Sequence, residues 1–138
     1  MDDARRFSIR VRVYYEDTDA GGIVYHATYL RWMERARTDW LRALGERHVE
    51  LAESTGVQFV VSELAIRYRR PARLDDLLDV DLEVAELRRA SLRLVQRTRP
   101  AGGGETIADA DVRVAVMDRR TGRPAGLPRR LLDTLGAP

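Results

Sequence analysis

The chain has 138 residues and a mass of 15.7 kDa, close to the ~150-residue prior for one domain and long enough to bury about two-thirds of its unfolded surface. Hydrophobic residues make up 44% and charged residues 33%, which excludes a disordered chain, and no window reaches the ~18 consecutive apolar residues of a membrane-spanning helix. Cysteine is absent, which excludes disulfides, thiolate metal sites and cysteine nucleophiles. All 24 basic residues are arginine and the net charge is +2. That excess is too small to argue for nucleic acid, and the lysine of a Schiff base or a P-loop is missing. The N-terminus is charged and lacks the apolar stretch of a secretory signal, so the expectation is one soluble cytoplasmic domain over 1–138.

Residues 7–15 alternate, with Ile9, Val11 and Val13 on one side and Arg10, Arg12 and Tyr14 on the other, the pattern of a half-buried strand. Glu16 to Gly22 is polar and glycine-bearing, a turn or loop. From about Tyr25 to Leu44 the period changes: Tyr29, Met33, Ala36, Trp40 and Leu44 form one helical stripe. Arg35 and Asp39 form an i,i+4 pair on the opposite side. Gly45 stops the helix, and a short amphipathic piece follows over 47–54.

The remainder reads as strands. Val60, Leu64, Ile66 and Tyr68 share one face until Pro71 ends the ladder. Leu78, Val80, Leu82 and Val84 alternate with Asp79, Asp81 and Glu83; Leu92 and Leu94 alternate with Arg93, Arg97 and Arg99. Pairing the third and fourth strands about Arg89 sets Asp79 opposite Arg99, Asp81 opposite Arg97 and Val84 opposite Leu94, keeping like faces together. That register predicts an odd-length connection around Arg88-Arg89-Ala90. A last strand runs from Ala108 to Val116, after a glycine-rich turn at 102–104, and Leu131 to Leu135 supplies one last helical turn. One strand, one long helix and four more strands make a segregated α+β pattern. The expected architecture is a five-stranded antiparallel sheet with one face hidden under a single helix and odd-numbered charges on the other. Its edge strands are open to pairing with a second subunit.

The segment richest in chemistry is Tyr14 to Tyr29, between the first strand and the long helix. Two carboxylates stand just before Gly21 and Gly22, which let the backbone approach a ligand closely. The first helical turn follows with unpaired N–H groups and the positive end of the dipole. That arrangement suits a carbonyl oxygen becoming an oxyanion, with an acid beside it to attack or to activate water. An ordinary helix cap is the plain structural alternative. Asp17 and Asp19 are two apart and point to opposite sides if the strand conformation persists. The two histidines lack zinc-ligand spacing, so no metal is expected, and His48 reads as a surface residue.

Tyr15-Glu-Asp-Thr-Asp19-Ala-Gly-Gly22-Ile-Val-Tyr-His26, then Tyr29 and Glu34-Arg-Ala-Arg37, resembles the hotdog acyl-CoA thioesterases of the 4-hydroxybenzoyl-CoA thioesterase superfamily. The nearest branch is the bacterial Tol-Pal-associated acyl-CoA thioesterases, which Arg67-Tyr68 and Pro71 to Leu77 also match. The resemblance covers about residues 8–135 and implies a hotdog fold, its sheet curled around one long central helix. It implies Asp19 as the catalytic carboxylate, either nucleophile or general base, assisted by Tyr15 and the His26 side chain. An oxyanion contact from backbone N–H at the helix start falls near His26. Gly22, Ile23, Tyr25, Tyr29 and Glu34 become substrate-side candidates. Positions 25 and 26 depart from the benzoyl-type relatives, which weakens a case for an aromatic substrate.

The implied substrate is an acyl-CoA, with no cofactor, and arginine suits the phosphates of coenzyme A. Candidates are Arg69 and Arg70, in a cluster with Arg67 and Arg73, and Arg88 with Arg89; Arg119, Arg120 and Arg123 form another group. The implied assembly is a homodimer or homotetramer, and an acyl-carrier protein or an envelope-associated protein are possible partners. A non-catalytic acyl-binding or scaffold module on the same fold is the competing reading, with Asp19 then only a cap.

Overall fold

The computed structural model describes residues 3–136. The elements are β1 (Arg6–Arg12), α1 (His26–Ala43), α2 (His48–Thr55), β2 (Val57–Tyr68), β3 (Leu77–Leu87), β4 (Ser91–Pro100), β5 (Ala108–Asp118) and α3 (Arg129–Leu135). All strand pairs are antiparallel, in one sheet of order β1-β3-β4-β5-β2. One face packs on α1, whose buried residues include Tyr29, Trp32, Met33, Ala36, Trp40 and Leu41. This is the expected hotdog arrangement. Tyr29, Met33, Ala36 and Trp40 are the foreseen stripe; Leu44 lies at its margin, half-buried. Burying side chains of this size stabilises by roughly 1.5–3 kcal/mol each. The Trp40 indole also donates to the Ala4 carbonyl at 2.7 Å, tying α1 to the entry of β1.

β1 stops at Arg12, three residues short of the sequence expectation. Asp17 is the cause: its carboxylate accepts the Tyr14 N–H at 2.8 Å and folds Tyr15–Asp17 into a 3-10 turn. The extended geometry that was to separate Asp17 from Asp19 therefore does not persist. On α1 the pairing of Arg35 with Asp39 gives way to Arg42 with Asp39 at 3.6 Å, one turn later. The His48 side chain lies outside the described residues.

The register between β3 and β4 is the anticipated one, with Asp79 opposite Arg99, Asp81 opposite Arg97 and Val84 opposite Leu94. The connection between the strand ends is the expected three residues, Arg88-Arg89-Ala90. A bulge at Ala85, absent from the sequence expectation, shifts the last pairs by one, so that Glu86 faces Arg93 and Leu87 faces Leu92. The strongest charge pair is diagonal rather than direct: Arg99 Nε donates to Asp81 at 2.5 Å. Asp79 is buried and accepts from Arg10 Nε on β1 at 2.9 Å.

A second bulge, at Ser62, interrupts β2 against β5. Val61 pairs with Val114 and Leu64 with Val112, so inward positions are odd before the bulge and even after it. Val60 therefore sits opposite Ala115 on the outer face, not with Leu64 as its parity suggested. β2 is an edge strand, and α1 packs nearest β1 and β3. The inward residues Val61, Leu64 and Tyr68 are consequently exposed.

Candidate active site

The loop between the 3-10 turn and α1 is closed by its own backbone. Asp19 N–H donates to the Ile23 carbonyl, Tyr25 N–H to Asp17, and Val24 N–H to Ala72 in the β2–β3 connection, all at 2.8–2.9 Å. Ile23 also forms a bridge with Arg73. Gly22 turns the chain with φ +81°, a conformation that side chains rarely adopt. Gly21 serves a different purpose. Its N–H donates to Asp19 Oδ1 at 2.8 Å, and a Cβ there would meet that oxygen at 3.2 Å.

Asp17 and Asp19 thus take different tasks for a reason other than strand alternation. Asp17 is engaged on both ends, its carboxylate by Tyr14 N–H and its carbonyl by Tyr25 N–H and the Thr28 hydroxyl. Asp19 is exposed, and its Oδ2 meets no protein donor among the described residues. At the start of α1, Thr28 N–H bonds back to Tyr25, whereas the N–H groups of His26 and Ala27 find no protein acceptor among the described residues. Two unfilled donors at a helix N-terminus, where the dipole is positive, form a receptive place for an oxyanion.

An aromatic group surrounds that helix start. The rings of Tyr25 and His26 lie 4.5 Å apart, His26 and Tyr68 6.2 Å in an edge arrangement, and Tyr29 and Tyr68 5.7 Å. The Tyr68 hydroxyl donates to the His26 carbonyl at 3.0 Å, holding β2 against the first turn of α1. Tyr29 is buried, its hydroxyl accepting from Ala72 N–H at 3.3 Å, and burial pushes its phenol up. Tyr15 stands 82% exposed.

Glu34 lies two turns further along α1 and makes no contact with this loop. It lines a cavity of about 540 Å³ between α1 and β2, with Arg37, Trp40, Leu92, Leu94 and Val114. From the sequence Arg37 enters only as the end of the Glu34-Arg-Ala-Arg37 motif, without a role. Its guanidinium donates through Nη1 to Gln96 Oε1 at 2.9 Å, and Gln96 Nε2 donates to the Met33 carbonyl at 2.9 Å. The signal was available: Gln96 is fully buried, an amide at an even, inward position of β4, and such a group calls for a partner. Tyr68 likewise enters from the sequence as a strand residue and in the Arg67-Tyr68 match, without a role at the site.

The arginine candidates separate by place. Arg69 and Arg70 follow directly on Tyr68 and line an outer-face recess of about 1080 Å³, where Arg69 pairs with Asp109 and Arg70 with Glu105. Arg88 pairs with Glu86 at 2.7 Å in the β3–β4 connection, and the Arg89 side chain has no protein partner among the described residues. That connection is at the other end of the sheet. β5 runs from Ala108, beside Tyr68, to Ala115, beside Ser91, roughly 23 Å at the ordinary rise of a strand. Arg88 and Arg89 therefore do not converge with His26 within one chain. Among the described residues no three His, Asp or Glu side chains converge as metal ligands would, and no helix is long and apolar enough to cross a membrane.

Residues 13–135 match the sequence profile of the thioesterase-like superfamily. An acyl-CoA thioesterase, YbgC, of Haemophilus influenzae is 46% identical over 125 residues, covering 91% of this chain and 90% of that protein. The crystal structure of a probable thioesterase from Bartonella henselae superposes with a TM-score of 0.82 at 33% identity, over 89% of this chain and 99% of that one. The 1,4-dihydroxy-2-naphthoyl-CoA thioesterase of Synechocystis shares the fold at 20% identity, with a TM-score of 0.88 over 95% and 96% of the two chains. With a matched stretch that takes in the Asp19 loop, all of α1 and every strand but β1, this chain belongs to the thioesterase-like superfamily.

Proposed function

We propose that this protein hydrolyses acyl-CoA thioesters to the free acid and coenzyme A, with Asp19 as the reacting carboxylate. The observation that carries the reading is the pairing of an unengaged Asp19 Oδ2 with the unfilled N–H groups of His26 and Ala27 on one short loop. The thioester oxygen docks on those amides, which stabilise it as charge develops. In the general-base route Asp19 takes a proton from water, the hydroxide adds to the carbonyl carbon, and the C–S bond breaks. The proton then passes to the departing thiolate. In the nucleophilic route Asp19 adds first, expelling the thiolate and forming a mixed anhydride that water cleaves. On this reading Tyr15 and the His26 side chain assist the carboxylate as polar groups, and Gly22, Ile23, Tyr25 and Tyr29 line the substrate side. No metal or redox cofactor enters either route.

Arg69 and Arg70, which follow directly on Tyr68, are the candidates for the phosphates of a coenzyme A bound at their own chain's helix start; their carboxylate partners are surface pairs worth little to break. Arg88 and Arg89 serve that role only toward a second subunit. A homodimer or homotetramer is supported by the long free edge of β2 and its exposed inward side chains. The site of action on this reading is the cytoplasm. An acyl-carrier-protein thioester presents the same reacting group, and an envelope-associated partner is the remaining protein candidate.

The test is thiol release from a panel of acyl-CoAs. Turnover above buffer supports the enzyme; none at any chain length leaves an acyl-binding or scaffold module. A single turnover in oxygen-isotope-labelled water identifies the nucleophilic route where water cleaves the anhydride at the Asp19 carbonyl, because only then does an Asp19 oxygen enter the first product.

A further inference from the structure

Arg37 is the feature of the inner face that the hydrolytic machinery does not use. It is half-buried on α1, and its one protein acceptor is the neutral amide oxygen of Gln96. A guanidinium has five N–H donors, and one is accounted for. The remaining nitrogens are not sealed in the core, since the one fully enclosed side-chain polar atom without a partner among the described residues is the Thr98 hydroxyl. Arg37 itself lines a cavity, together with Trp40, Leu92, Leu94 and Val114. Glu34 shares the cavity wall but forms no ion pair with Arg37 in the described structure.

Burial pulls the guanidinium below the usual arginine range, and the negative charge of Glu34 offsets that only in part. A half-buried cation with no carboxylate in ion-pair contact is costly. Here it is also held rigidly: Gln96 is fully buried, and its other end is fixed to the Met33 carbonyl. A planar fork clamped in this way on the wall of a cavity about 540 Å³ in volume, with donors to spare, matches a carboxylate in shape and charge.

We propose that Arg37 is a specificity-determining residue that selects acyl groups carrying a carboxylate at the end remote from the thioester. The proposal rests on the thioesterase reading and narrows its substrate class. The apolar walls receive the methylene chain, the guanidinium receives the terminal carboxylate, and Gln96 is the positioning residue that aims the guanidinium.

The experiment compares matched pairs of thioesters of equal length, succinyl- against butanoyl-CoA, adipoyl- against hexanoyl-CoA and sebacoyl- against decanoyl-CoA, on the wild-type protein. For at least one pair the carboxylate-ended substrate is expected to have the higher kcat/KM, with the advantage carried by KM. In Arg37→Met that ratio falls by about 10–100-fold, the value of a charge-assisted bond pair. Arg37→Lys retains part of the preference. Wild-type protein that cleaves the methyl-ended member of every pair as well or better overturns the proposal and leaves the hydrolase standing, whether or not Arg37→Met folds. An Arg37→Met variant that lowers the oligomeric state in light scattering while keeping the substrate ratio also overturns it, assigning Arg37 to subunit contact. Absence of turnover on every thioester overturns the thioesterase reading, and this proposal with it.

Discussion

Replacing Asp19 by asparagine separates chemistry from folding at this loop. Asp19 Oδ1 already accepts the Gly21 N–H at 2.8 Å, and Oδ2 is unengaged. Asparagine keeps an acceptor toward Gly21 and substitutes an amide for the free oxygen, so the turn survives while the negative charge is lost. A base positioned in a transition state contributes ~10²–10⁴ in rate, equivalent to about 3–5 kcal/mol of barrier. Asp19→Asn is therefore expected to lower kcat by that factor in a thiol-release assay. An exposed polar exchange away from the core shifts stability by ~0.5 kcal/mol at most, about 2 °C in Tm for a chain of this size. Asp17→Ala is the opposite case. It removes the acceptor of the Tyr14 N–H and costs about 0.5–2 kcal/mol, as lost caps do, with a visible fall in Tm and a smaller effect on turnover. Equal losses of kcat in both variants with unchanged melts, or wild-type turnover in Asp19→Asn, would refute the division of labour between the two carboxylates.

Three further outcomes follow from the same geometry. Gln96→Leu preserves volume but leaves Arg37 without its one acceptor, and a chemical denaturation curve is expected to show a loss of about 1–3 kcal/mol; an unchanged midpoint would mean solvent already satisfies the guanidinium. Gly22→Val places a branched side chain at φ +81°, costing ~1–3 kcal/mol and depressing turnover, while Gly102→Val, with nothing near its Cβ position, serves as the neutral control in the same melts. Asp118 accepts the backbone N–H groups of Thr121 and Arg120, which hold its carboxyl below the usual range. Its contribution is therefore present above the unfolded aspartate pKa and lost as pH falls through the lower folded value. The Tm gap between wild type and Asp118→Ala should shrink on acidification through that window, and a gap that widens would reverse the sign.

What the sequence revealed and what it hid divide along physical lines. The alternation in 78–84 and 92–99 encodes a register, because a slip of one residue sends Leu82 or Leu94 to the wrong face; that register is present. The bulges at Ala85 and Ser62 left no trace, since neither residue is glycine and each merely shifts the pattern by one. The α1 stripe was legible from Tyr29 to Trp40 because helical periodicity is local. The link from Met33 and Arg37 to Gln96 joins segments some sixty positions apart, and no local pattern reports it. At the candidate site, the loop's polar character and its junction with the helix could be read directly. The two-residue spacing of Asp17 and Asp19 suggests separate tasks, but not their basis, which is a 3-10 turn that short-range alternation does not anticipate.

The contrast among the amides of the Asp19 loop has one more consequence. Those of Asp19, Gly21, Gly22, Val24 and Tyr25 are all consumed internally, and the next two, of His26 and Ala27, are bonded to no protein group in the described structure. The oxyanion of the proposed reaction would compete there with solvent alone. Nothing in the scaffold has to be broken or swung aside to receive it, so the reorganisation energy that a loosely built receptor would spend is absent from the outset.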